Sequence, residues 1–131
     1  MVSSLKRSLW RAILGFKVGS HESNFWRHIL SSAGAVTCAL YYKLSPIELA
    51  FVVMCCGCVI GAELLNTGIE RIANEHSNPR PSLDVSAAGV LAVAIFALIS
   101  GSILILPKAW NDPLLLICVI VAILTGWMVI P

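Results

Sequence analysis

From Pro46 to Glu63 the chain is almost purely apolar, and two further apolar runs follow it. Stretches of this kind suit the hydrocarbon layer of a bilayer, roughly 30 Å thick and crossed by about 20 helical residues. The composition removes the alternative of a soluble domain: 58% of the 131 residues are hydrophobic and only 12% are charged. The mean hydropathy of +0.88 is far from that of a soluble globular protein. A chain this short has no core large enough to hide those side chains, so lipid must cover many of them. The net charge of +2 is too small to imply nucleic acid. Cys38, Cys55, Cys56, Cys58 and Cys118 lie within apolar stretches, where cysteine behaves as a small hydrophobe. Cys55-x-x-Cys58 has no second ligand pair, so neither a disulfide framework nor a metal site is expected.

In chain order, residues 1–27 read as an amphipathic surface helix, or two. Leu5, Leu9, Ala12, Ile13 and Phe16 form the apolar face and Lys6, Arg7, Arg11 and Lys17 the basic one. Trp10 and Trp26 suit a membrane–water boundary. No short apolar core with a cleavage site follows, so this is not the pattern of a signal peptide. The first span is expected at 28–42. The second is expected at 46–74, with Ser45 as N-cap and Pro46 at the first helical position; at 1.5 Å per residue it reaches roughly 43 Å and projects beyond the hydrocarbon. Asn78-Pro79-Arg80-Pro81 breaks the helix, and Ser82 is positioned to cap a third span over 83–106 rich in small residues. A turn from Pro107 to Asp112 precedes a fourth span over 113–130. The fold class is thus an all-α integral membrane domain, an amphipathic helix plus four spans. Lys6, Arg7, Arg11, Lys17, Arg27, Arg71 and Arg80 fall on one side and only Lys43 and Lys108 on the other, which makes the first side cytoplasmic by the positive-inside rule.

The polar end of the second span carries the candidate chemistry. Glu63, Asn66, Thr67, Glu70 and Asn74 stand at i, i+3, i+4, i+7 and i+11, one helical face. Glu22 before the first span and Asp84 at the start of the third reach the same boundary. Each has a plainer reading: Glu63 as an interhelical ion pair, Asn66 as glue between helices, Glu22 as an interfacial charge, Asp84 as a favourable helix-start charge. His28 and His76 read as interfacial, Arg71 and Glu75 as solvated surface. Yet a carboxylate in a spanning segment costs a few kcal/mol and marks function by default. Carboxylates beside an amide suit a hard cation such as Mg²⁺, which takes one or two carboxylates plus nucleotide phosphates. Glu63, deeper in the lipid, is the natural proton acceptor for a lipid alcohol.

Ala62-Glu63-Leu64-Leu65-Asn66-Thr67-Gly68-Ile69-Glu70 resembles the signature Glu-x-x-Asn-[Ser/Thr]-Ala-Ile-Glu of the small bacterial membrane kinases, the diacylglycerol kinase and undecaprenol kinase family; only Gly68 departs from it. Glu22-Ser23-Asn24-Phe25-Trp26-Arg27-His28 is similar to that family's Glu-x-Asn-Phe-x-x-His stretch, and Leu83-Asp84-Val85-Ser86-Ala87-Ala88-Gly89-Val90-Leu91 to its Lys-Asp-x-x-[Ala/Ser]-Ala-Ala-Val-Leu. The resemblance implies a homotrimer in the bacterial inner membrane, using MgATP to phosphorylate a lipid alcohol and so feeding phospholipid or lipid-carrier recycling. It also implies Glu63 as general base and Glu22 and Glu70 as holders of the Mg²⁺. Asn66 would orient the phosphoryl group or the base. Asn74, Asp84, Lys17 and Arg71 would complete the phosphate and substrate surroundings. No Walker A loop is present.

Three departures bear on activity. Asn74 stands where the family usually has aspartate, and Leu83 where it usually has lysine. The 113–130 span is additional and is expected on the outside of the bundle or at partner contacts. Asn74 and Leu83 motivate a second reading, a weakened or inactive family member serving as membrane scaffold or nucleotide sensor. A proton-coupled exporter is a third, but it gives no reason for Glu22, Asn66 and Glu70 to accompany Glu63.

Overall fold

The protein, in a computed structural model that describes residues 2–74 and 80–130, is all-helical over those residues. The connection at 75–79, with His76, Asn78 and Pro79, lies outside the described residues, and so do the side chains of Arg80 and Ser82. Five helices follow one another: α1 (Val2–Gly19), α2 (Ser23–Tyr41), α3 (Pro46–Asn74), α4 (Arg80–Ala109) and α5 (Leu114–Val129). Two of them, Pro46–Asn74 and the Leu83–Ala109 part of α4, are long and apolar enough to cross a membrane; α5 is a shorter apolar helix.

α1 stops where its sequence allows close approach to α3. A Cβ on Gly19 would meet the end of the Leu64 side chain of α3, which packs directly over the glycine. The chain turns at Ser20–Glu22 and re-enters a helix at Ser23, with the Trp26 indole donating to the Ser20 carbonyl at 2.8 Å.

The α2–α3 corner is built from two capping motifs in succession. Lys43 adopts a left-handed conformation, φ 52°, after the last turn of α2. Lys43 N–H then donates to the Leu40 carbonyl (3.1 Å) and Leu44 N–H to the Ala39 carbonyl (3.0 Å). That pair of bonds is a Schellman termination, and the buried Leu44 and Ala39 supply its usual apolar contact. Ser45 and Glu48 then form a capping box: Ser45 N–H donates to Glu48 Oε2 (2.6 Å) and Glu48 N–H to Ser45 Oγ (3.4 Å).

Contacts at the helix ends fix the packing. Glu48 at the start of α3 pairs with Lys108 at the end of α4 at 3.0 Å, and Ser86 early in α4 meets Asn66 late in α3; the two helices are therefore antiparallel. α2 is antiparallel to both α3 and α5. At one end the Tyr41 hydroxyl donates to Asp112 Oδ2 and the Tyr42 hydroxyl to the Asp112 carbonyl, each at 2.8 Å. At the other, Arg27 donates to the Ile130 carbonyl at 3.0 Å and the Trp127 indole to Ser31 Oγ at 3.2 Å. A small core of Cys38, Ala39, Leu44, Val52, Ile105 and Ala109 sits at the Lys43–Lys108 end. Elsewhere large apolar side chains such as Leu65, Leu98 and Val129 face outward.

Two boundaries differ from the sequence reading. α4 starts at Arg80, so Asp84 stands beyond its first turn and Ser82 lies inside the helix. Pro107 was expected to open a turn, yet α4 continues through it to Ala109. Proline there forfeits one backbone bond, and the buried Ala109 together with the Lys108–Glu48 pair holds the last turn in place.

The Tyr42 hydroxyl also accepts from Leu116 N–H at 3.3 Å, so it is the main clasp on the start of α5. Tyr42→Phe is expected to lower stability by about 1–2 kcal/mol, read as a drop of several degrees in the thermal midpoint of detergent-solubilised protein. An unchanged midpoint would show that this clasp does not hold α5.

Candidate functional site

The end of the bundle opposite the small core holds the polar stripe of α3. Glu63, Asn66 and Thr67 are 3%, 6% and 4% exposed, Glu70 is half-buried and Asn74, at the end of α3, is exposed. Leu65 and Ile72 on the other face of the same helix are largely exposed. The helix is thus turned polar side inward and greasy side outward, the reverse of a soluble helix.

Buried polar groups need partners, and neighbouring helices supply them. The Asn66 carboxamide bridges two elements: its Nδ2 donates to Glu70 Oε1 at 2.6 Å, and its Oδ1 accepts from Ser86 Oγ of α4 at 2.7 Å. Ser86 Oγ also lies 3.0 Å from the Leu83 carbonyl, so its single proton serves two acceptors. From α2, His28 Nε2 stands 3.8 Å from Glu63 Oε2. That is too long for a direct hydrogen bond and becomes an ion pair when His28 is protonated.

Glu22, in the bend before α2, lies 3.4 Å from the Arg71 guanidinium in a partly exposed pair. The carboxyls of Glu70 and Glu22 are both within electrostatic reach of Glu63. The structure therefore gathers Glu63, Asn66, Glu70, Glu22 and Arg71 at one end. Asp84 on α4 and Lys17 in the last turn of α1 are exposed, and no described contact joins either to this network. Two participants were not singled out in the sequence. His28, expected at the interface, is half-buried and faces Glu63; Ser86 provides the α4 side of the Asn66 bridge. Both belong to the quoted motifs, and that membership is the signal that points to them.

A divalent ion is a fair match to these donors. Among the described residues no group of three or more His, Cys, Asp or Glu side chains could cage a metal. Mg²⁺ does not need one, since it takes one or two carboxylates and fills its remaining positions with phosphate oxygens and water. Glu70 and Glu22 offer carboxylate oxygens of that kind.

A chain with this bundle and this buried acidic cluster is placed by comparison among the membrane lipid kinases. The prokaryotic diacylglycerol kinase family matches residues 11–105, most of the chain, so the protein belongs to that family. Undecaprenol kinase of Bacillus subtilis (strain 168) is 29% identical over 92 residues, covering 66% of this chain and 75% of that protein. No solved structure shows a significant match. The matched region includes Glu22, His28, Glu63, Asn66, Glu70 and Ser86, and leaves α5 outside.

Ser86→Ala removes the donor to a buried carboxamide oxygen. It is expected to cost about 1–3 kcal/mol of stability, measured by thermal unfolding in detergent. Ser86→Thr, which keeps the hydroxyl, is expected to restore most of it. If the alanine variant were as stable as the parent, the Asn66 bridge would carry no structural weight.

Proposed function

We propose that the protein is an ATP-dependent lipid kinase that moves the γ-phosphate of MgATP to the primary hydroxyl of a membrane lipid, diacylglycerol or undecaprenol. The observation that carries this reading is a carboxylate only 3% exposed, faced by His28 and backed by Glu70 and Glu22, at one end of an apolar bundle. A membrane alcohol can bring its hydroxyl to Glu63 while a water-soluble nucleotide approaches Glu70 and Glu22 from the same end.

In this reading Glu63 accepts the proton of the lipid hydroxyl as the oxygen attacks the γ-phosphorus. The new O–P bond forms, the bond from the γ-phosphorus to the bridging oxygen breaks, and ADP departs with the electron pair. His28 Nε2, 3.8 Å away, faces the Glu63 carboxyl and pairs with it electrostatically when protonated. Asn66, held by Ser86, fixes Glu70 in turn. Glu70 and Glu22 would hold the Mg²⁺, whose contribution is to neutralise charge on the phosphates. Transfer then rests on positioning and charge rather than on covalent chemistry.

The same reading places the protein in the bacterial inner membrane. α2, α3, α4 and α5 span it, α1 lies on the cytoplasmic surface, and the acidic cluster faces the cytosol; the excess of Lys and Arg at that end supports this orientation. Outward-facing apolar side chains agree with contact to lipid and to other copies in a homotrimer. A second reading, a member weakened by lacking two charges, is favoured by Leu83 and Asn74. Combining Leu83→Lys with Asn74→Asp would then raise activity.

The test is purified protein in mixed micelles with labelled MgATP and each of the two lipids side by side. One lipid is expected to be labelled, with chelation of divalent ions stopping the reaction and added Mg²⁺ restoring it. Glu63→Gln is expected to slow transfer by about 10²–10⁴-fold. Labelling of neither lipid above the Glu63→Gln background would end the catalytic reading.

A further inference from the structure

The bundle contains a cavity of about 470 Å³ bordered by α2, α3, α4 and α5. This is within the roughly 300–1,000 Å³ of ordinary ligand sites, and its walls are almost wholly apolar. At one end it begins at His28 and Trp127; at the other it reaches Cys38 and Leu116. Those limits are roughly 15 Å apart along α2 at 1.5 Å per residue.

The apolar lining decides what fits. A hydrocarbon chain, whose carbons pack about 4 Å from their neighbours, enters easily. The polar end settles which molecule the chain belongs to. His28 both lines the cavity and faces Glu63, so a chain lying in the groove has its head group at the acidic cluster.

We propose that α5 closes a groove that holds one hydrocarbon chain of the acceptor lipid, with the lipid's alcohol delivered past His28 to Glu63. This rests on the lipid-kinase reading and adds a role for the helix beyond the matched 11–105 region. α5 is fitted for the role. It is apolar along its length, it is pinned to α2 at both ends by Tyr42, Arg27 and Trp127, and it seats so closely that a Cβ on Gly34 would meet Val119 and Ile123. The facing wall on α4 is kept open by Ala94, Ala97 and Gly101, spaced i, i+3 and i+7 on one face. A Cβ on Gly101 would meet no atom within 4 Å, so a substitution there starts from open space beside the groove.

The experiment uses the full chain in liposomes containing a diacylglycerol or a polyprenol that carries a diazirine midway along a chain. Irradiation without nucleotide reads lipid position independently of phosphoryl transfer. Adducts are expected at Ala97, Ile120 and Ile123, and are expected to fall by about tenfold in Gly101→Phe and, separately, in Ala97→Phe, while adducts at the outward-facing Leu91 persist. Elution as a single folded species on gel filtration qualifies each variant. Adducts spread over Leu91 and Phe96 and unaltered by either substitution would overturn the groove, as would crosslinks from groove residues to a second copy. Phosphorylation assayed on the same preparations separates the two claims. Transfer without groove adducts overturns the groove and leaves the kinase, whereas plug-sensitive adducts without transfer support the groove and overturn the kinase.

Discussion

A row of hydrogen-bonding side chains buried inside a bundle with a greasy exterior is the constraint that organises this molecule. Glu63, Asn66 and Thr67 are all nearly inaccessible, and an unsatisfied group in such a place costs about 1–3 kcal/mol, more when charged. Helices in lipid gain little from apolar burial against one another, so polar contacts and close packing fix how they rotate. Here α2 turns His28 toward Glu63 and α4 turns Ser86 toward Asn66. The site is thus also the register mark of the bundle, which is why its residues sit on three helices.

The opposite end works by different means. Its small apolar core, capping motifs and tyrosine clasps are ordinary structural devices, and its acidic groups are already engaged: Glu48 by Ser45 and Lys108, Asp112 by two tyrosines. At the end that holds the candidate site the arrangement is looser. The Glu22–Arg71 pair is partly exposed and 3.4 Å long, the kind of contact that contributes little to stability and is easily exchanged for a phosphate or an ion. The contrast leaves one end of the bundle tied down and the other, which the proposed reading makes the reactive one, more loosely held.

Much of this was legible in the sequence. The bounds of α3 follow from Ser45, Pro46 and the polar stripe, because capping chemistry and helical spacing are local. The shared face of the polar stripe was legible too, since Glu63, Asn66, Thr67 and Glu70 recur at helical spacing where lipid would reject them. What escaped depends on tertiary placement. Nothing in the spacing of a lone histidine says whether it points to the interface or to Glu63; the packing of α2 on α3 decides that. Pro107 is a breaker in isolation, and only the contacts of Lys108 and Ala109 keep the helix going past it. The groove could not be read at all, because it is a gap defined by four helices and α5 follows the recognisable motifs.

The central claim is that one end of the bundle brings a water-soluble phosphate donor and a lipid hydroxyl to the same buried carboxylate. The most direct measurement is an experimental structure of the protein in lipid with a non-hydrolysable MgATP analogue and an acceptor lipid. The account predicts the terminal phosphate beside Glu70 and Glu22, with the lipid hydroxyl between it and Glu63. A nucleotide bound elsewhere, for instance at the Lys43–Lys108 end, or an acceptor whose hydroxyl lies away from Glu63, would contradict it.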